Sequence, residues 1–283
     1  MWTKKRLLVW GKTYPEFSKT YYETVCTGAI DAETKKLVRI YPVTLRYLKE
    51  PFKAYQWIEA DVEKNASDFR PESFRIQQET IRPLDHLDHD KAGWAERAKW
   101  VLSAGNVFAS VKALRDAEAR DHTSLGLVKP KKITKIYMEY KPESEKKEWD
   151  EQRERALKQK DLYVDAESKT KDLAFCPVRY RAKFFCDDPV CPTEHDLSIL
   201  DWGLYVLNYN QYVVRGAAMA EQKVVEKIEQ LMDPSKRDAY FYLGNTMGHS
   251  QSFMIVGLFH PPLPPVSTRK KGREASLPLP GVD

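Results

Sequence analysis

The sequence predicts an α+β protein with an N-terminal curved β-sheet or small barrel, a helical middle and a C-terminal mixed α/β part. Three observations predict it. Short β-branched and aromatic runs broken by turn residues fill 5–62, apolar residues take helical spacing over 94–120, and residues 178–185 alternate with a period of two.

Strands are expected at 6–10, 23–30, 37–41 and 57–62, with residues 31–36 as a hairpin connection. In the middle, Trp94, Ala98, Val101 and Leu102 share one helical face, and Val107, Val111, Leu114 and Ala117 share another, with Asn106 and Ser110 as candidate caps. Residues 143–160 read as a polar, solvated helix between two halves. A strand over 178–185 opens the second half, followed by a strand near 197–202 and a helix over 217–232 that stops before Pro234. Strands at 240–243 and 252–259 flank the turn 244–249. This divides the chain into a β-rich domain (1–142, including the helical extension 94–120), a linker (143–172), an α+β domain (173–262) and a Pro- and Lys/Arg-rich tail (263–283).

The balance of 42% hydrophobic and 31% charged residues is that of a globular chain. The apolar run after Lys4, Lys5 and Arg6 ends at Gly11, too short for a signal peptide, and no run approaches the ~20 residues of a bilayer span. Four cysteines in 283 residues make no disulfide framework, so a reducing cytoplasm and no membrane partner are expected. The net charge of +5 is mildly basic, which directs attention to where the cations lie.

Cys186, Cys191 and His195 fall within ten residues in a turn-rich loop, a knuckle-like spacing for zinc. A strand over 178–185 at ~3.3 Å per residue sets Cys176 roughly 30 Å from Cys186, which leaves Asp187, His249, His260 or water as a fourth ligand. The plain alternative is a tight loop of buried thiols beside a surface histidine.

Basic residues interleave with aromatics at Lys12, Tyr14, Arg39, Tyr41, Arg46, Tyr47, Arg70, Phe74 and Arg75, and again at Arg179, Tyr180, Arg181 and Lys183, with a further cluster at Lys129, Lys131 and Lys132. Cations neutralise phosphates and aromatic faces stack on unpaired bases, so nucleic acid is the expected partner, with Trp202 as another stacking residue. Candidate catalytic groups are Asp201 at a strand end, Asn245 and His249 in the 244–249 turn, and Glu72 between Arg70 and Arg75. A carboxylate that orients water, aided by Asn and His, suits hydrolysis of a glycosidic or phosphodiester bond. Each of these residues also has a structural reading as a cap or turn. Phosphate-binding glycine loops, the nucleophile elbow, His-Glu-x-x-His and the zinc-deaminase pattern are all missing from the sequence.

The stretches 12–18 (KTYPEFS), 23–28 (ETVCTG), 39–43 (RIYPV) and 70–74 (RPESF) go with the Cys186, Cys191, His195 loop, LDW at 200–202 and GLFHPP at 257–262. Together they resemble a family of bacterial proteins from mobile and anti-phage gene neighbourhoods. The resemblance implies foreign or modified DNA as the substrate class and supplies no catalytic residues. His260 followed by two prolines is also similar to the His-Pro-Ser-Pro loop of uracil-DNA glycosylases, without its serine or its partner motif. The expectation is therefore a DNA-acting protein of anti-phage defence that excises bases as a glycosylase. A zinc-stabilised, non-catalytic nucleic-acid-binding module and a nuclease are the alternatives.

Overall fold

The structure, a computed structural model, describes residues 1–17, 23–44, 48, 51–160 and 173–263. Arg46, Tyr47, linker residues 161–172 and the tail from 264 onward lie outside the described residues. An α+β architecture is observed, with two sheets packed face to face.

The first sheet contains β1 (Thr3–Lys12), β2 (Glu16–Phe17), β3 (Glu23–Asp31), β4 (Leu37–Val43), β5 (Gln56–Lys64), β6 (Ser73–Ile76) and β7 (Arg82–His86). β1 pairs antiparallel with both β3 and β5, and the circuit closes through β4 and β6, giving a five-stranded barrel. Period-two geometry explains why residues 7–10 form an unbroken apolar run. Leu7 and Val9 face the barrel interior with Val25, Ala29, Ile40 and Ile58, whereas Leu8 and Trp10 face outward onto the second sheet. Both faces of β1 are buried.

The helical middle is two helices, α1 (Lys91–Val101) and α2 (Val111–Asp121), separated by β8 (Val107–Phe108). The Asp90 carboxylate accepts from the Gly93 amide and the Ser110 hydroxyl from the Ala113 amide, which fixes where each helix starts. Then follow β9 (Leu125–Val128), β10 (Pro130–Tyr140), α3 (Glu143–Lys160), β11 (Val178–Cys186), β12 (His195–Ile199), α4 (Trp202–Arg215), α5 (Ala217–Leu231), β13 (Tyr240–Thr246) and β14 (His249–Phe259). The second sheet runs β10-β11-β12-β14-β13-β9-β8. Strands on either side of α3 are immediate neighbours in it, so the polar helix expected to link two halves is an excursion within one sheet. One face of this sheet carries Phe184, Phe241 and Ile255 against Leu114 of α2, Leu204 of α4 and Ile228 of α5. The other face carries Leu127, Tyr242 and Val256 against the barrel.

Trp10 is the wedge between the layers. Its ring lies on Tyr242 at 4.0 Å between centroids and 5° from parallel, and its indole N–H donates to the Ala29 carbonyl at 3.2 Å. A Cβ on Gly28 would come within 2.0 Å of that ring, so glycine is required there to admit the indole. Gly28→Ala is expected to cost about 2–3 kcal/mol as Trp10 is forced from its slot. Urea unfolding checks this, and an unchanged midpoint would mean that Trp10 is not confined by Gly28.

Candidate functional site

The seam between barrel and second sheet is closed by charged groups rather than by apolar contact alone. Arg39 on β4 and Arg70, just before β6, both donate to the Asn245 carbonyl on β13, at 3.0 and 2.8 Å. Arg39 also donates to the Ser124 carbonyl and hydroxyl at 3.1 and 3.0 Å. Glu72 accepts from the Ser124 amide and hydroxyl at 2.8 and 2.9 Å. Asp68 grips the Arg70 fork with bonds of 2.8 and 2.6 Å. Burial pushes the Asp68 carboxyl upward, but the Arg70 fork overrides it and holds the group well below the usual carboxylate range.

A cavity of about 310 Å³ opens beside this clamp. Its walls are Lys12, Tyr14 and Glu16 from the β1–β2 region, Cys26 on β3, Arg39 and Tyr41 on β4, and Asp68, Arg70 and Phe74 near β6; Asn245, Met247 and Met254 close it from the second sheet. Tyr41, 39% exposed, and Met247, 51% exposed, stand at the rim. The Tyr41 hydroxyl is 3.1 Å from that of Thr24. Burial lowers the Lys12 ammonium to about 8 and raises the Glu16 carboxyl and the Cys26 thiol.

A smaller cavity of about 150 Å³ shares Tyr14 and Leu200 with the first and is lined by Lys141, Cys176, Asp201 and Tyr205. Tyr14 meets Tyr205 edge-on at 4.4 Å, and both hydroxyls donate to the Ala174 carbonyl. Trp202 stacks on Tyr205 at 5.2 Å, a half-buried core contact.

The four proposed catalytic residues are not brought together. Asn245 lines the larger cavity and Asp201 the smaller, while Glu72 and His249 line neither. Asp201 does not end a strand: it is the N-cap of α4, and its carboxylate accepts from the Leu204 amide at 3.0 Å. The Asn245 side-chain amide donates to the Ser250 carbonyl, and His249 is exposed at the start of β14. Asp201, Glu72 and Asn245 each bond to neighbouring protein groups.

The proposed phosphate-binding face of β11 is equally committed. Its alternation is as expected, with Val178, Tyr180, Ala182 and Phe184 buried, but Arg179 pairs with Glu139 and Glu145, and Arg181 with Asp196 and Glu139. Lys129 and Lys131 pair with Asp238 and Asp187. Among the described residues, Arg75, Lys132 and Lys183 form no ion pair.

The Cys186 and Cys191 thiols and the His195 imidazole lie within 4.8 Å of one another, all three residues buried, with Cys191 Sγ 3.1 Å from His195 Nε2. Ligands of a tetrahedral zinc at ~2.3 Å for sulfur and ~2.0 Å for nitrogen stand roughly 3.5–3.8 Å apart, so the donor set fits such an ion with small adjustments. Burial pushes the Cys186 thiol up to about 11 and lowers His195, so the imidazole is in its neutral, ligating form. This cluster could hold a metal. Cys176 lies apart from it, as the strand length requires, with its thiol on the Val178 carbonyl. Asp187 pairs with Lys131 at the surface, and His260 is half-buried against Trp94.

Fold and site together define an α+β protein in which a closed barrel is clamped onto a mixed sheet that carries a buried thiol–imidazole cluster. Residues 107–277, more than half of the chain, match the family described as a domain of unknown function (DUF8757), and the chain belongs to that family. Residues 3–103 match a second domain of unknown function (DUF8758). The junction of the two falls between α1 and β8, where the chain leaves the barrel layer for the second sheet. No curated protein matches the chain.

The ionisation of the Asp201 cap can be tested through pH. Burial raises its carboxyl to about 6, against the pull of the Leu204 and Gly203 amides. A carboxyl raised in this way binds protons more tightly in the fold, so its contribution is fully present below about pH 4 and is lost as pH rises through about 6. Asp201→Asn keeps the oxygen that caps α4 and does not titrate. Relative to the parent it should therefore gain on the order of 1 kcal/mol between pH 4 and pH 7. Urea midpoints of both proteins at the two pH values measure the gap, and a gap independent of pH would refute a buried, ionising cap.

Proposed function

We propose that this protein binds nucleic acid and receives one unpaired or extruded base in the seam cavity, with zinc held by Cys186, Cys191 and His195. The observation that carries the reading is the make-up of the cavity. A base has two apolar faces and polar edges, and the cavity pairs Tyr41, Phe74 and Met247 with a wall of Lys12, Arg39 and Arg70. At about 310 Å³ it stands at the small end of ligand sites, which run from about 300 to 1,000 Å³, and suits one nucleoside better than a peptide. Arg75, Lys132 and Lys183, with no ion pair among the described residues, are cations of the expected basic clusters that remain for phosphates. The resemblance to proteins of anti-phage neighbourhoods favours foreign or modified DNA as the source of the base. Of the earlier alternatives, the zinc-stabilised binding module agrees best with this geometry, because the Asp201, Glu72 and Asn245 side chains are already bonded to protein groups and the exposed His249 lines neither cavity.

Tyr41→Ala should weaken binding of a single-stranded oligodeoxynucleotide by about 5- to 100-fold, the loss of one stacked base, with folding unchanged. Fluorescence anisotropy measures it, and equal affinity of parent and variant would exclude the cavity as the base site. Mass spectrometry of the same incubations would detect any released base and so report base excision directly.

Zinc at the loop is tested separately. Purified protein should contain about one zinc per chain, and Cys186→Ser or a strong chelator should lower the melting temperature by several degrees. Metal-free protein with an unchanged melting temperature would remove zinc from the account.

A further inference from the structure

Lys12 differs from the guanidiniums of the seam cavity in having one protein oxygen as its partner, where Arg39 and Arg70 each have several, and no carboxylate among the described residues pairs with it. Its Nζ donates to the Phe52 carbonyl at 3.1 Å and lies 4.2 Å from the centre of the Phe52 ring. The stem comes off the last residue of β1, whose partners on β3 hold the backbone in register opposite Thr27. The same cavity wall carries two buried guanidiniums, Arg39 and Arg70, and it is burial that disfavours the charged form of Lys12 there. Glu16, paired with Thr24 across β2 and β3, contributes a carboxyl to the same space.

We propose that Lys12 is a nucleophile whose amine forms an imine with an aldehyde entering this cavity, the open-chain sugar of an abasic nucleotide being the aldehyde class it meets. This rests on the nucleic-acid reading for its substrate, though not for its chemistry. The neutral amine adds its lone pair to the carbonyl carbon, and one proton passes from the nitrogen to the oxygen to give a neutral carbinolamine. Glu16 then supplies a proton to the departing hydroxyl, water leaves, and the nitrogen releases its remaining proton as the neutral imine forms. Nothing is oxidised or reduced. The lowered Lys12 and the raised Glu16 both move toward the range where a proton passes easily near neutral pH. With its ammonium at about 8, Lys12 holds roughly two-hundred-fold more free amine at pH 7.5 than an unperturbed lysine does.

Reductive trapping tests this on the full chain. Protein is incubated at pH 7.5 with sodium cyanoborohydride and either a single-stranded oligonucleotide bearing one abasic site or free 2-deoxyribose 5-phosphate. Adducts are mapped by peptide mass spectrometry. In parallel, anisotropy follows binding of the same oligonucleotide with a tetrahydrofuran spacer, which has no aldehyde. The expected result is labelling of Lys12 at least about tenfold above any other lysine with both probes, and trapping about tenfold slower or more in Glu16→Gln. Lys12→Arg, which keeps the positive charge, and Lys12→Gln both lose the adduct; circular dichroism confirms that the variants are folded. Labelling spread over exposed lysines without preference for Lys12 overturns the proposal, whether or not the spacer oligonucleotide binds. Labelling of Lys12 by the sugar phosphate, with no binding of the spacer oligonucleotide, keeps the nucleophile and removes nucleic acid as its substrate.

Discussion

Everything at the seam depends on the Asn245 carbonyl, which accepts hydrogen bonds from two buried guanidiniums at once. An arginine taken out of water without partners would cost several kcal/mol, so Arg39 and Arg70 are tolerable only where Asn245, Ser124, Asp68 and Glu72 meet them. Those partners come from two layers. The two sheets therefore have one relative placement in which the charges are satisfied, and sliding them past one another would strand several polar groups together. The cavity exists because this polar clamp and the Trp10 wedge hold the layers apart on either side of it.

The clamp also explains why the cavity is cationic without being a bare basic patch. Arg39 and Arg70 spend most of their donors on protein oxygens, and Lys12 is held by one, the Phe52 carbonyl. A ligand entering meets a fixed field more than a set of free side chains. That arrangement costs little reorganisation on binding, which is the property that makes a preorganised site effective.

The sequence was most informative where burial has a period. The barrel strands, the alternation of β11 and the caps at Ser110 and Asp201 all lie where local chemistry decides the structure, though Asp201 read as a strand end because α4 is unusual for a helix. Its residues Tyr205, Val206, Tyr209, Tyr212, Val213 and Val214 are aromatic or β-branched and favour strands, and tertiary packing against β11 and α5 overrides that preference. The thiol–imidazole cluster was legible because its three members are close in sequence. Arg39, Arg70, Tyr14 and Tyr41 were singled out, but their grouping with Glu16, Cys26, Asp68 and Asn245 was not legible, since it joins residues up to about 230 positions apart through the docking of two sheets. The carboxylate partners of Arg179 and Arg181 were hidden for the same reason: Glu139 comes from β10 and Asp196 from β12, and only the sheet order sets them alongside.

The two-sided burial of β1 has a consequence for synthesis. The barrel strands are complete once residue 86 has emerged, but the outer faces of Leu8 and Trp10 wait for Tyr242 and Val256 to cover them. At ~5–20 residues per second, the ribosome delivers those partners on the order of ten to thirty seconds later. Throughout that interval the nascent barrel displays the Trp10 indole and two guanidiniums without their carbonyl. That apolar surface stays open to water until the last hairpin arrives.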